Sequence, residues 1–349
     1  MNAQTPTKTS RLRGDRVTLA HGGGGKAMRD LIEEVFTDVF DPPGDEDQAR
    51  LMTQALQDPG AQLAFTTDSF VVTPPVFPGG DIGKIAVCGT VNDLAVGGAI
   101  PLWLSAAFII EEGCEIALLR QIVQSMDTEA RKAGVRIVTG DTKVVERGSA
   151  DQVFVTTSGV GVIPPDRDLR AANIRPGDVA IVNGVLGDHG ATILAARGDM
   201  ALSTDLISDC NSLNGLMETV IAAAPGLRAA RDATRGGVAS CLNEMADAAG
   251  VGIEIDETTL SLRHEVKGMC EVLGLDPLYL ANEGTLVLFV PQEEADQTLE
   301  AMRQHSMGKD AVVIGKVLDG PAGRVTMRTL FGGTRLVDML VGEQLPRIC

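Results

Sequence analysis

The sequence predicts two consecutive domains, each mixing strands with intervening helices in α/β or α+β fashion. Three observations carry that reading. At 349 residues the chain is longer than one hydrophobic core usually organises. Apolar runs of strand character alternate with helix-like segments through both halves. Pro164-Pro165, a charged stretch and Arg175-Pro176-Gly177-Asp178 then punctuate the middle of the chain. The expected layout is a flexible leader over residues 1–16, an N-terminal domain over 17–163, a C-terminal domain over 164–340 and a mobile tail over 341–349.

In order, a short strand at 17–19 feeds the glycine run His21–Gly25, and a helix follows from Ala27 to Phe40. Strands are expected at 63–66 and 70–72 around Thr67-Asp68-Ser69. A helix opens at Gly80-Asp81-Ile82-Gly83 and runs to about Gly97. Residues 102–109 form a strand, 116–133 a helix, and 135–139 and 153–162 strands. Beyond the boundary, 179–183 is a strand, a helix starts at 190–197, and 213–224 and 238–249 are helical. Strands are expected at 251–255, 286–290, 312–317 and 325–327. Gly342 and Pro346 exclude a long regular element at the end of the chain.

Composition narrows the function classes. Hydrophobic residues make up 44% and charged residues 22%, as in ordinary globular chains and unlike disordered ones. A net charge of −17 argues against an electrostatic grip on nucleic acid or anionic lipid. Residues 1–16 lack a signal-peptide core, and the longest apolar run, 85–110, is broken by Asn92, Asp93 and Pro101. The six cysteines show no CxxC pair and no histidine at zinc-ligand spacing. The expectation is a cytoplasmic protein with reduced thiols. Five cysteines read as small buried hydrophobes, whereas Cys349 is the last residue of the sequence.

His21-Gly-Gly-Gly-Gly-Lys26 has the look of a phosphate loop, but a P-loop would need Gly at 20 and Ser or Thr at 27, where Ala20 and Ala27 stand. Gly23, Gly24, Gly25 and Lys26 could still offer N–H groups and charge to an anion; the alternative is a flexible loop with no ligand. Aspartates placed at expected strand ends or helix starts are more informative: Asp68, Asn92-Asp93, Gly140-Asp141-Thr142-Lys143 and Asp232-Ala-Thr-Arg-Gly-Gly237. Singly these are helix caps or turn formers. Together they suit Mg²⁺, which reaches proteins mainly through substrate phosphates. A bound cation would let an acidic chain accept a nucleoside triphosphate. Glu283, in Asn282-Glu283-Gly284, is a general base or a turn residue. A thiol on a flexible arm, Cys349, can act as a carrier loaded at one site and used at another.

In their order, the glycine run, Pro78-Gly-Gly-Asp-Ile-Gly-Lys84, Gly89-Thr-Val-Asn-Asp-Leu94, Gly140-Asp-Thr-Lys143, Asp232-Ala-Thr-Arg-Gly-Gly237, Asn282-Glu-Gly284 and Pro346-Arg-Ile-Cys349 resemble the HypE family of hydrogenase maturation proteins. The aspartate motifs alone indicate the wider PurM-like superfamily; the Pro-Arg-Ile-Cys end selects HypE within it. The resemblance implies a PurM-like two-domain fold, a homodimer through the N-terminal sheets, and ATP with Mg²⁺. It implies a carbamoyl dehydratase that turns an S-carboxamide on Cys349 into a thiocyanate, the source of cyanide ligands for the [NiFe]-hydrogenase iron. It implies HypF as carbamoyl donor and the HypC–HypD complex as cyanide acceptor. Lys143 and Glu283 match the dehydration site. Asp68, Asn92, Asp93, Asp141, Asp232 and Thr234, with the glycine loop, match ATP-binding positions, and Asp68, Asp93, Asp141 and Asp232 the Mg²⁺ ligands. A selenophosphate synthetase would carry Cys or selenocysteine in the glycine loop, a thiamine monophosphate kinase has no use for Cys349, and a non-catalytic carrier is the alternative from another class.

Overall fold

The computed structural model describes residues 12, 14–43, 48–198, 204–339 and 347–349. The leader expected over 1–16 falls mostly outside these residues, and so does the stretch 341–346 of the tail. In the N-terminal domain the expected strand at 17–19 is absent. The backbone turns there into a 3-10 segment, Leu19–Gly22, because His21 Nδ1 accepts the Thr18 N–H at 3.0 Å. Helices α1 (Lys26–Leu31) and α2 (Asp38–Phe40) follow, joined by a π-helical turn over Ile32–Thr37.

Strand β1 (Gln62–Phe70) runs unbroken through Asp68, where two strands were expected. Its side chains alternate, so Thr66, Asp68 and Phe70 turn inward while Leu63, Phe65 and Thr67 face out. A short hairpin, β2 (Val76–Phe77) and β3 (Gly80–Asp81), leads into α3 (Ile82–Val96). Asp81 caps α3 by accepting the Lys84 N–H at 2.9 Å. Next come β4 (Ile100–Glu111), α4 (Ile116–Ala133), β5 (Arg136–Val145) and β6 (Val153–Ile163). The strand order is β1-β6-β4-β5, antiparallel except for β4 with β5, which α4 connects as a crossover.

The sequence of α4 accounts for its packing. Ile116, Leu119, Ile122, Val123, Met126, Ala130 and Ala133 recur at helical spacing and are buried, while Arg120, Gln124 and Thr128 stay near solvent. Each large aliphatic residue on that face contributes roughly 1.5–3 kcal/mol of burial. Gly134 ends the helix in the left-handed conformation. Helix α3 is buried nearly all round because it packs on α4, β1 and β6 and also against the second domain. Its Gly83 lies so close to α4 that a Cβ there would stand 2.4 Å from the Ile122 carbonyl oxygen.

The second domain runs β7 (Asp178–Val182), α5 (Asp188–Arg197), α6 (Asn214–Ala223), β8 (Ala229–Asp232), α7 (Gly237–Ala249), β9 (Gly252–Asp256), α8 (His264–Leu273), β10 (Leu286–Pro291), α9 (Ala295–Gln304), β11 (Val312–Leu318), β12 (Val325–Arg328) and β13 (Thr334–Val337). Its sheet has the order β13-β12-β9-β11-β7-β10-β8, with β12 and β9 as the parallel pair. One face packs on α7; the other packs on α6 and α9, joined by Ala95 and Val96 of α3. Elements β8, α8, α9 and β13 escaped the sequence reading, being short or carrying few large apolar residues. The N-terminal core also takes in Ile193, Cys210 and Ala281 of the second domain, and Ile348.

Candidate active site

Across the N-terminal sheet, Asp141 on β5 is in register with Ala107, Ala107 with Thr156, and Thr156 with Ser69. Asp68 belongs to the next row, with Thr157, Ala106 and Gly140. Successive residues of a strand point to opposite faces, so Asp68 faces inward and Asp141 and Lys143 face outward. Strands β1 and β5 are also the two edges of the sheet, three strand spacings or about 14 Å apart. The site anticipated as one therefore divides within a chain.

The first group lies on the β5 edge. There the Lys143 ammonium pairs with Asp141 at 2.8 Å and holds its carboxyl below the usual range. Gly22 abuts Val144, so the glycine loop rests on this strand, with Gly23, Gly24, Gly25 and Lys26 exposed. Lys26 pairs with Asp30 at 3.3 Å. A cavity of about 570 Å³ opens between this strand and the α1–α2 segment, lined by Arg29, Phe36, Phe40, Phe108, Ile137 and Asp141 among others. Within one chain the sheet therefore stands between Asp141 and the aspartates Asp68, Asp93 and Asp232, and between Lys143 and Glu283.

The second group gathers where the domains meet. Asp93, on α3, accepts the Thr66 hydroxyl at 2.8 Å. Burial raises the Asp68 carboxyl, with Asp93 adding repulsion and Arg235 opposing it. Burial likewise raises Asp93. Asp232 closes β8; burial, then Asp93 and further on Asp68, push it up to about 7. Thr234 and Arg235 continue the same loop, where the Gly237 N–H bonds the Thr234 carbonyl at 2.9 Å. Glu283 is buried, and neither carboxylate oxygen has a hydrogen-bond partner among the described residues. Burial raises it well above the ordinary value, and Asp209, Asp232 and Asp68 add to the effect.

The loop carrying Glu283 is tightly built. The Asp209 carboxylate accepts the N–H groups of Glu283 and Gly284, both at 3.0 Å, and the Thr285 hydroxyl at 3.1 Å. Residue 284 must be glycine, since a Cβ there would lie 1.9 Å from the Asp209 carbonyl oxygen. Asn282 donates to the Ala233 carbonyl at 2.9 Å, and Ala233 N–H bonds Thr285 O at 2.9 Å, which ties this loop to the Asp232 loop. Asn92 instead spans the domains: its Nδ2 donates to Asn211 O at 3.1 Å and its Oδ1 accepts Leu213 N–H at 2.7 Å. That engages Asn92 as an interdomain clamp, a role its sequence position does not distinguish from ligand binding.

Residues 347–349 are seated in this same place. Val71 N–H bonds the Cys349 carbonyl at 3.1 Å and Thr73 N–H bonds the Arg347 carbonyl at 3.2 Å, extending the β1 edge. Arg197 bridges the Thr73 and Arg347 carbonyls at 3.1 and 2.6 Å. The Arg347 guanidinium pairs with Asp151 and stands 5.9 Å from the Phe154 ring centre. Ile348 is buried in the N-terminal core. The Cys349 thiol is strongly disfavoured from ionising, first by burial and then by Glu283, with Asp68 and Asp232 adding to it and Arg235 opposing. Seated, it is a protonated thiol rather than a nucleophile. The sequence reading missed Asp209, His189 and Arg197, and it quoted Arg235 within its motif without giving it a role; Gly187-Asp-His-Gly190, a further Gly-Asp motif, was the available signal for one of the three.

Among the described residues Asp68, Asp93, Asp232 and Glu283 form an acidic group opposed by Arg231 and Arg235. No closed ligand cage of three or more such side chains exists among the described residues.

The chain matches the family described as AIR synthase related protein in both its parts, the N-terminal domain over residues 46–163 and the C-terminal domain over 175–328. It is 73% identical over 338 residues to carbamoyl dehydratase HypE of Rhodobacter capsulatus, covering 97% of this chain and 99% of that one. Among solved structures it is similar to the hydrogenase maturation protein HypE in complex with ATP, with a TM-score of 0.90 and 44% identity over 95% of this chain and 99% of that one. It is also similar to a chain of the HypE–HypF complex, with a TM-score of 0.78 and 47% identity over 89% of this chain and 99% of that one.

Proposed function

The chain belongs to the HypE family of carbamoyl dehydratases, and from that premise we propose how its own residues perform the reaction. The observation that carries the reading is Cys349 seated among Glu283, Asp68, Asp232 and Arg235. In this reading the Cys349 sulfur bears a carboxamide. ATP transfers its γ-phosphoryl group to the amide oxygen, converting a poor leaving group into phosphate. The C–O bond breaks as C≡N forms, two N–H protons leave, and a thiocyanate remains on sulfur. Glu283 takes a proton; its raised proton affinity makes it the stronger base once ionised. Asp68, Asp93 and Asp232 would hold Mg²⁺, which would supply charge neutralisation for the phosphoryl oxygens.

ATP binding by this chain follows the ATP complex of its structural relative, and the cavity between β5 and the α1–α2 segment has the size of a nucleoside site. Exposed Leu63, Phe65 and Ile109 stand on the outward sheet face that also bears Asp141 and Lys143. We place the homodimer contact there, so that these two residues act toward a second copy. HypF as a partner is supported by the HypE–HypF complex; HypF as carbamoyl donor and HypC–HypD as cyanide acceptor are part of the proposal. No helix among the described residues is long and apolar enough to cross a membrane, and a cytoplasmic location is part of the proposal.

Mass spectrometry of the Cys349 peptide tests the whole reading. After incubation with HypF, carbamoyl phosphate and ATP, a carbamoyl adduct should form and then lose the mass of one water. An adduct that persisted with ATP present would make the chain a passive carrier.

A further inference from the structure

His189 is buried at the start of α5 and makes two side-chain hydrogen bonds, to Ile348 O at 2.7 Å and to Ser208 Oγ at 2.8 Å. A carbonyl oxygen only accepts, so Nε2 carries the proton. Burial lowers the ring's proton affinity to about 4, so it is neutral and Nδ1 accepts from the Ser208 hydroxyl. Ser208 Oγ in turn accepts the Cys210 N–H at 3.1 Å. The Phe77 ring meets the imidazole edge-on at 5.6 Å between centres, holding its plane. The Ser208 N–H bonds Pro78 O at 2.9 Å, pinning the loop to the β2–β3 turn.

The loop that ends this chain of bonds is the one that orients Glu283. Asp209, between Ser208 and Cys210, accepts the N–H groups of Glu283 and Gly284. One three-residue segment therefore holds the base through Asp209 and residue 348 through Ser208 and His189. We propose that His189 is a positioning residue that fixes the seated tail, and so sets the Cys349 sulfur against Glu283 through their common support at residues 208–210. The geometry also gives a reason for the residues at the end of the sequence. Asp151 and Phe154 meet the Arg347 side chain and the core takes the Ile348 side chain, whereas Arg197, His189 and Val71 hold the backbone oxygens of residues 347, 348 and 349.

The catalytic half of this inference rests on the dehydratase reading; the seat itself does not, and the test separates them. In the full-length protein without substrates, the alkylation rate of Cys349 by N-ethylmaleimide, read on its peptide by mass spectrometry, measures how often the tail leaves. His189→Ala should raise that rate roughly tenfold, the worth of a buried hydrogen bond. His189→Gln, which keeps an N–H donor, should recover part of the difference, and Ser208→Ala should move it in the same direction as Ala at 189. With HypF and carbamoyl phosphate, His189→Ala should accept the carbamoyl group at the normal rate or faster. Dehydration of the loaded protein with ATP should slow by a similar factor. Unchanged alkylation in all three variants would overturn the seat. Acceptance and dehydration falling together would overturn the positioning role, because a general folding defect does that. If loaded wild-type protein shows no dehydration while alkylation responds as stated, the dehydratase reading fails and the seat stands.

Discussion

Replacing Asp232 by Asn should make the nucleotide-free protein more stable and less able to hold Mg–ATP. Burial, with Asp93 and Asp68 behind it, lifts this carboxyl from its ordinary 3.8 to about 7. That difference corresponds to about 4 kcal/mol between the two protonation states, an upper bound because the side chain keeps partial access to solvent. The folded-state value lies above the unfolded one, so the native state binds the extra proton. Stability is whole below pH 3.8 and is lost as pH rises through about 7. Asn at 232 has no charge to desolvate and no repulsion to exert on its neighbours. At pH 8 the variant should be more stable by about 2–4 kcal/mol, and at pH 4 the two proteins should match. Thermal unfolding from pH 4 to 9 reads this as a Tm difference of about 2–4 °C per kcal/mol. Mg–ATP should raise the Tm of the wild-type protein and leave the variant nearly unmoved. A difference that failed to shrink on acidification, or a variant less stable at pH 8, would refute the reasoning.

Glu283→Gln should slow dehydration of carbamoylated protein by about 10²–10⁴, the usual worth of a general base, while carbamoyl acceptance is unaffected; single-turnover mass spectrometry separates the two. Gly284→Ala, which would set a Cβ 1.9 Å from Asp209 O, should cost at least about 1–3 kcal/mol and displace Glu283, read as a fall in Tm with lost dehydration. Asn92→Ala removes two interdomain hydrogen bonds and should destabilise by about 1–3 kcal/mol while ATP binding by calorimetry survives. Phe65→Asp, at a side chain 68% exposed on the outward sheet face, should drive the protein toward monomer in sedimentation velocity if that face is the dimer contact.

Local pattern was enough to locate most elements. Helix α4 was legible to the residue because its apolar positions recur at helical spacing and Gly134 stops it. The strands at β6, β9, β10 and β11 were legible because short apolar runs stand between turn residues. The two strands expected around Asp68 merged because the antiparallel ladder to β6 runs without interruption from Gln62 to Phe70. Polar residues inside such a strand look like a break in sequence, and cross-strand hydrogen bonds override them.

The sequence by itself determined the chemistry available to this protein: aspartates suited to Mg²⁺, a glutamate before a strand, a thiol at residue 349, and the family motifs that order them. It could not determine which of these meet, because proximity across a sheet depends on strand order and face. Tertiary structure decided that Asp141 and Lys143 stand on the outward face of one edge while Asp68, Asp93, Asp232 and Glu283 crowd the domain junction. It also decided that Asn92 is a clamp. And it seated residues 347–349, because the donors and acceptors that hold them come from residues 71, 73, 189 and 197, which only the folded chain brings side by side.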